Sequence, residues 1–594
     1  MSFRNLGELF RERSQAFAHL NRWRTRRNGE WLTCTNAEHQ RHVYQLMAGF
    51  QALGLQKGDR VGIMANTSVD WLEADWALVC SGAVPVSIYP SLMADTVAFI
   101  AQDAELKFLL IENREQYDKL QAVRSQLEHI ERVIIFDGRD LPSDDPWILS
   151  LTSLRRMATN DSTAQEVFAT NCAKQIEPED LATIVYTSGT TGNPKGAMLA
   201  HRALLGELNA IRSTMGMKMG EDDVLFLPAA HIFGRLQHMC GVDNGLNTAI
   251  IESIKQVLDD VQTIKPTFFF SVPRMYEKIF STAQARAEAS PIRKRIFAWA
   301  IKIARQQSNY KAKKAAAPAS FKLKYGLADR LVFKKVRTLL GGNIRYAITG
   351  GAPLDIEILE FFNGAGVLLL EGWGLTETSA AVTANRPDDY RLGTVGKVFP
   401  GNELKIAADG EVLVRGNLVM SGYYNNQQKT DEALIDGWFH TGDIGNIDAD
   451  GFLSIVDRKK DLLITASGKN IAPQAVEAAF KNSPYISQCA VFGDRRPYLV
   501  ALFTLDLEAV TAWANREHVP VDANLHKHPK LVAAIEHEVQ TINPSLPSFE
   551  QIKAYEILAE DFTIENDLLT PTLKIRRRQI YDRFAKTFEQ LYKR

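Results

Sequence analysis

The chain has 594 residues, 45% of them hydrophobic and 23% charged, with a formal net charge of -1. That length exceeds one ordinary domain, and the composition is that of a globular chain able to bury large cores. Near-neutrality excludes a global pull toward nucleic acid or membrane, so any electrostatic bias is local. Five scattered cysteines, with no C-x-x-C pair, speak against a zinc site or disulfide framework and fit a reducing compartment.

The opening MSFRNLGELFRERSQAF interleaves charges with apolar residues and has no signal-peptide core. No run approaches the ~18 apolar residues of a membrane span. The expectation is a cytoplasmic protein. EHQRHVYQLMAGFQALGL (38–55) has apolar residues at helical spacing. RVGIMA (60–65), VPVSIY (84–89), KFLLIE (107–112), RVIIFD (132–137) and TFFFSV (267–272) read as strands. Such alternation points to an α/β fold with helices layered on mainly parallel sheets.

After the apolar run Leu181–Val185 comes a loop rich in exposed backbone donors: Thr187, Ser188, Gly189, Thr190, Thr191 and Gly192, then Lys195. Hydroxyls, unobstructed N–H groups and one compact charge suit an oxyanion with many acceptors, such as a polyphosphate. The spacing is not that of G-x-x-x-x-G-K-[ST]. Further on, residues 293–337 hold fourteen Lys/Arg against one acidic residue, Asp329, with large apolar residues interspersed. This stretch reads either as a solvated helix face or as a surface for anionic lipid headgroups. From about residue 390 short β-rich runs are broken by Gly and Asp-Gly turns, and a compact α+β region follows the charged stretch near Asp457–Lys460.

Six segments, in this order, carry a resemblance: TSGTTGNPKGAM (187–198), ITGGAPL (348–354), EGWGLTETS (371–379), GWFHTGDIG (437–445), DRKKDLLITASGKNIAP (457–473) and LTPTLKIRR (569–577). They resemble the motifs of the adenylate-forming, AMP-binding superfamily of acyl-CoA synthetases, luciferases and peptide-synthetase adenylation domains. The resemblance implies a large N-terminal domain over 1–457, with a β-rich subdomain at about 390–457. A hinge at Lys460 would join it to a small mobile α+β domain over 458–594.

It also implies a site. The loop with Thr187 and Lys195 would hold the ATP phosphates. Gly350, Gly351, Ala352, Trp373 and Gly374 would line the adenine side, next to Thr376. Glu377 would hold Mg²⁺, for which one carboxylate plus phosphates is a suitable set. Asp443 and Arg458 would reach the ribose. His231 would sit near the acyl carboxylate, although taken alone it reads equally as a core histidine. Ser467, Gly468 and Lys469 would line the coenzyme A channel. Lys574 would stabilise the charge that builds as two anions meet.

FFFSVPRMYEKI (268–279), LPSFEQIKAYEIL (546–558) and Leu573 before Lys574 resemble the long-chain branch; many short- and medium-chain relatives have Gly in place of that leucine. The implied activity is activation of a long-chain fatty acid to acyl-AMP, then transfer to coenzyme A. The alternatives are loading of a separate acyl carrier protein, or a medium-chain or aromatic acid. No nucleic-acid partner is expected, and oligomeric state stays open.

Overall fold

The computed structural model describes the chain except residues 1–2, 28, 140–144, 160, 188–192, 254–255, 289, 467–468, 482, 571–573 and 594. The apolar runs become strands buried on both faces, as expected of parallel strands covered by helices. The largest sheet has eight strands, in the order Gly422–Tyr423, Lys195–Ala200, Leu181–Thr187, Val84–Ile88, Arg60–Met64, Phe108–Ile111, Arg132–Ile135 and Ile148–Ser150. Its pairings are parallel except at the edge that carries residues 181–200 and 422–423. The helix expected at 38–55 is Asn36–Ala52. Thr35 starts it: its hydroxyl accepts from the Glu38 N–H at 3.2 Å, and the Glu38 carboxylate accepts from the Thr35 N–H at 2.8 Å.

A second sheet runs Phe270–Ser271, Tyr346–Thr349, Leu368–Trp373, Thr383–Ala384 and Lys397–Val398, the first three parallel. The strand expected over 267–272 is only two residues long here. The run is buried through Phe268, Phe269 and Phe270, but its backbone is divided between two sheets. Thr267 N–H donates to Asp222 O in the four-stranded sheet, while Phe269 O accepts from Ile348 N–H in this one. A shared run cannot keep one ladder.

The β-rich part is Asn402–Ile406, Glu411–Gly416, Leu434–Ile435, Trp438–Ile447 and Leu453–Arg458, all antiparallel. Beyond a turn at Lys459–Asp461 lies a three-stranded sheet of Ile486–Phe492, Leu499–Leu505 and Ile552–Ile557 with helices packed on it. The described buried cores divide at this turn. Three draw on buried residues up to Leu453, and two on buried residues from Leu463 onward. The fold is thus the layered α/β assembly with a small α+β C-terminal part that the sequence implies.

The basic segment forms the helix Pro291–Ala312, followed by Ala319–Ala328 and a further helical stretch. Phe297, Ala300, Ile303 and Ala304 turn inward, and this face lies tight against the helix Ile356–Gly364. The lysines and arginines are left mostly on the outer side. Among the described residues no helix is long and apolar enough to cross a membrane.

Two glycines on these helices have opposite surroundings. A Cβ on Gly364 would stand 2.0 Å from the Ala304 carbonyl oxygen, whereas a Cβ on Gly326 would meet nothing within 4 Å. Gly364→Ala is expected to lower stability by ~1–3 kcal/mol. Gly326→Ala is expected to raise it by ~0.5–1 kcal/mol by restricting the unfolded chain. Urea denaturation of the two variants checks the opposite signs.

Candidate active site

The loop after Leu181–Thr187 returns as the antiparallel strand Lys195–Ala200, with Thr187 directly opposite Lys195. Ser188, Gly189, Thr190, Thr191 and Gly192 lie outside the described residues. The two ends of the loop are fixed: the Thr187 hydroxyl donates to Lys195 O at 3.4 Å. Lys195 Nζ sits 4.3 Å from the centre of the Tyr423 ring, a cation–π distance. Burial lowers the Lys195 ammonium from its ordinary value, against a raising pull from Glu377.

Glu377 arrives from the second sheet. The strand Leu368–Trp373 ends at its carboxyl end, where ligands gather in open α/β sheets. Gly374 makes the exit, since a Cβ there would stand 1.7 Å from Ala380 O. The chain then forms a short helical turn, Thr376–Thr378, pinned by the Leu375 N–H donating to the Thr378 hydroxyl at 2.8 Å. Ser379 and Ala380 follow with φ of +61° and +116°. This turn leaves Thr376 and Glu377 half-buried, and the Glu377 carboxylate accepts from the Tyr423 hydroxyl at 2.8 Å.

Gly350, Gly351 and Ala352 leave the neighbouring parallel strand Tyr346–Thr349, whose Thr349 pairs with Glu371. Both loops therefore emerge from one sheet edge. Glu371 is buried and pushed up to about 8 by desolvation; its carboxyl accepts from Leu354 N–H at 3.4 Å.

Asp443 is the meeting point. It lies opposite Arg458 in the antiparallel pair of Trp438–Ile447 with Leu453–Arg458. Its Oδ2 accepts from the Trp373 indole N–H at 2.8 Å, joining the β-rich sheet to the strand that leads to Glu377. Arg458 Nε stands 2.8 Å from Oδ1, off the line of a hydrogen bond, so that Oδ1 is buried and makes none. A buried acceptor with spare capacity suits a hydroxyl donor such as a ribose diol. Burial raises the Asp443 carboxyl, opposed first by Arg458, then by Trp373 and Lys574.

Lys574 reaches this cluster from the C-terminal part. It is paired with Thr570: Thr570 N–H donates to Lys574 O at 2.8 Å, and Lys574 N–H donates to the Thr570 hydroxyl at 3.1 Å. Leu569 and Ile575 bridge below. The residue as a whole remains exposed, but its ammonium is crowded by protein. That desolvation and the Arg458 charge pull it down to about 8, with Asp443 opposing. His231 caps the helix Ile232–Asn244, its Nδ1 accepting from Phe233 N–H at 3.2 Å. Desolvation, then the Lys574 charge, push it down to about 4, so it is neutral at pH 7.

Lys460 is exposed in the turn between the two sets of cores, close enough for its charge to depress Lys195. Ser467 and Gly468 lie outside the described residues. Lys469 belongs to the hairpin of Leu463–Ile464 with Asn470–Ile471 and stands 5.7 Å from the Phe549 ring. Its described contacts stay within the C-terminal part.

Two contributors are invisible in the motifs. Tyr423 touches both Glu377 and Lys195. Glu207, fully buried and raised far above the carboxyl range by desolvation, accepts from the Ala381 N–H at 3.1 Å and so fastens the turn behind Glu377.

A profile described as AMP-binding enzyme matches residues 12–424, and one described as AMP-binding enzyme C-terminal domain matches 460–594. The chain belongs to the AMP-binding enzyme family. This AMP-binding enzyme is 37% identical over 571 residues to a protein of Mycobacterium bovis named long-chain-fatty-acid–CoA ligase FadD15, covering 95% of this chain and 93% of the relative. It is 31% identical to the Arabidopsis thaliana long chain acyl-CoA synthetase 7, peroxisomal, covering 95% and 81%. Among solved structures, the anthranilate CoA ligase AuaEII in complex with anthranoyl-AMP superposes with a TM-score of 0.74 over 99% of both chains, at 20% identity.

In the AMP-binding enzyme, Trp373→Phe removes the only hydrogen bond described at the Asp443 side-chain oxygens. It is expected to cost ~1–3 kcal/mol of stability, because a buried acceptor is stranded. In a double-mutant cycle with Asp443→Ala the two losses should fall short of additivity by more than ~0.5 kcal/mol, read by urea denaturation.

Proposed function

We propose that this AMP-binding enzyme is a long-chain fatty acid–CoA ligase that works in two steps. A fatty-acid carboxylate oxygen attacks the α-phosphorus of ATP, forming the acyl-phosphate bond as the bond to pyrophosphate breaks. The thiolate sulfur of coenzyme A then attacks the acyl carbon, and AMP leaves with the carboxylate oxygen that made the first bond. The observation that carries the reading is the convergence on Asp443 of Trp373, Arg458 and Lys574, beside Lys195 and Glu377. The long-chain assignment draws on the relatives named above.

In this reading Asp443 accepts from the ribose hydroxyls and Trp373 borders the base. Lys195 and the donors of its loop hold the outgoing phosphates. Lys574 places positive charge between two anions that must approach. Catalysis is then positioning and electrostatics, with little covalent work for the protein. Glu377 suits Mg²⁺ entering with ATP: one carboxylate, one of its oxygens already anchored by Tyr423, with phosphates and water completing the set. Bound there, the ion would neutralise phosphate charge. His231, neutral, adds no second fixed charge beside the carboxylate. Residues 458–594 act as the small mobile domain, pivoting at Lys460, and Ser467, Gly468 and Lys469 serve the coenzyme A channel in the second orientation.

Pyrophosphate release measured over acids from acetate to palmitate, with and without coenzyme A, should show a long-chain optimum and acyl-CoA as product. An optimum at acetate or an aromatic acid, or acyl-AMP left unconsumed by coenzyme A, contradicts the reading. Lys574→Ala should lower adenylate formation by at least ~10²-fold while sparing thiolation of supplied acyl-AMP. In the wild type, kcat/KM for adenylation should fall as pH rises through about 8, because the ammonium form does the work. The limb should vanish in whatever activity Lys574→Arg retains.

The basic segment 293–337 we propose to rest on anionic lipid. Leu323, Leu327 and Leu331 are exposed at i, i+4 and i+8, flanked by Lys322, Lys324, Arg330, Lys334 and Lys335. Flotation with anionic liposomes should be lost in Leu323→Glu/Leu327→Glu; unchanged flotation, or none in the wild type, rejects this part.

A further inference from the structure

Lys195 and Glu377 carry opposite charges in one cleft, near enough for the carboxylate to pull the Lys195 ammonium upward against its burial. Among the described residues no ion pair joins them. Tyr423 stands between: its ring carries Lys195 Nζ at 4.3 Å, and its hydroxyl donates to Glu377 Oε1 at 2.8 Å. The tyrosine is 6% exposed, so water does not readily replace either contact. Its backbone is held too. Tyr423 pairs with Ala197 in the strand that follows Lys195, and its N–H donates to the Thr430 hydroxyl at 2.8 Å. Three residues earlier, Met420 N–H donates to Glu377 O at 2.8 Å. One short segment thus grips the phosphate-loop strand and the carboxylate turn together.

A half-buried lysine and glutamate left to themselves would pair, because each relieves the other's desolvation. Such a pair would spend on each other the two charges that a metal–polyphosphate needs. A ring cannot neutralise an ammonium as a carboxylate does, and one phenolic hydrogen bond leaves the second carboxylate oxygen available. We propose that Tyr423 is a positioning residue that keeps Lys195 and Glu377 apart and poised, Lys195 for phosphate and Glu377 for the metal that accompanies it. This rests on the adenylating reading of the site. It assigns no chemistry to the tyrosine itself.

The test is calorimetric binding of α,β-methylene-ATP, once with Mg²⁺ and once with EDTA, to the wild type and to Tyr423→Phe, Tyr423→Leu and Tyr423→Leu/Glu377→Gln. Tyr423→Phe keeps the ring but frees the carboxylate. It should bind as the wild type does in EDTA and lose about tenfold of the Mg²⁺-dependent gain. Tyr423→Leu removes the spacer as well, so that Lys195 pairs with Glu377 and binding weakens in EDTA too. Adding Glu377→Gln should restore the EDTA affinity, which a merely structural defect would not do. Should Tyr423→Leu fail to fold, Tyr423→Phe still decides through its Mg²⁺ increment. Wild-type binding with an unchanged Mg²⁺ increment in Tyr423→Phe, or no rescue by Glu377→Gln, overturns the inference alone. A wild type that binds no nucleotide overturns the adenylating reading and this inference with it.

Discussion

The carboxylate of Asp443 ties together parts of the chain that no single sheet could unite. Trp373 reaches it from the end of the second sheet, Arg458 from the last strand before the turn, and the charge of Lys574 from the C-terminal part. Because Trp373 opens the turn that carries Glu377, an anchor at Asp443 also orients the carboxylate beside Lys195. A buried anion of this kind is costly unless paired. Here its own compensation supplies much of what a nucleotide site requires: a flat indole, a guanidinium, an ammonium and an acceptor oxygen still unused.

The titrations of Asp443 and Lys574 both shift toward the neutral form. Lys574 is drawn down toward neutrality and Asp443 up, each because charge is expensive in a crowded cleft. A polyphosphate or an acyl-phosphate entering there would reverse the cost for the lysine by supplying the missing negative charge. In the proposed reaction, negative charge arriving beside Lys574 would favour its ammonium form, and a fixed positive charge there would stabilise the charge that builds in the transition state. His231 fits the same logic from the other side: half-buried and pushed down to about 4 by desolvation and then by the Lys574 charge, it is neutral at pH 7 and adds no second positive charge beside Lys574.

Much of this was legible in the sequence, for physical reasons. Continuous apolar runs such as RVGIMA and KFLLIE can be little else than buried strands, and the structure has them at Arg60–Met64 and Phe108–Ile111. The loop with Thr187 and Lys195 pointed to a polyphosphate through its own donors, whereas the adenine, metal and ribose roles of Trp373, Glu377 and Asp443 came only from the resemblance of their motifs to a known superfamily. What stayed hidden depended on pairing across distance. Tyr423 lies 46 residues from the glutamate it holds, in a two-residue strand with no pattern of its own. TFFFSV has the composition of a full strand, but its backbone is shared by two sheets, which no local period encodes. The stretch within 293–337 read as a solvated helix face or a lipid surface; that Phe297, Ala300, Ile303 and Ala304 instead pack inward on the helix Ile356–Gly364 depends on a partner that no local pattern names.

The proposed activity turns on one bond, that between a fatty-acid oxygen and the α-phosphorus of ATP, which would form beside Asp443, Lys195 and Lys574. Turnover of palmitate labelled with ¹⁸O in both carboxylate oxygens, with ATP and coenzyme A, followed by mass spectrometry of the nucleotide, tests it most directly. One ¹⁸O carried into AMP and none into pyrophosphate is the predicted result. Unlabelled AMP, or label in pyrophosphate or inorganic phosphate, would contradict it.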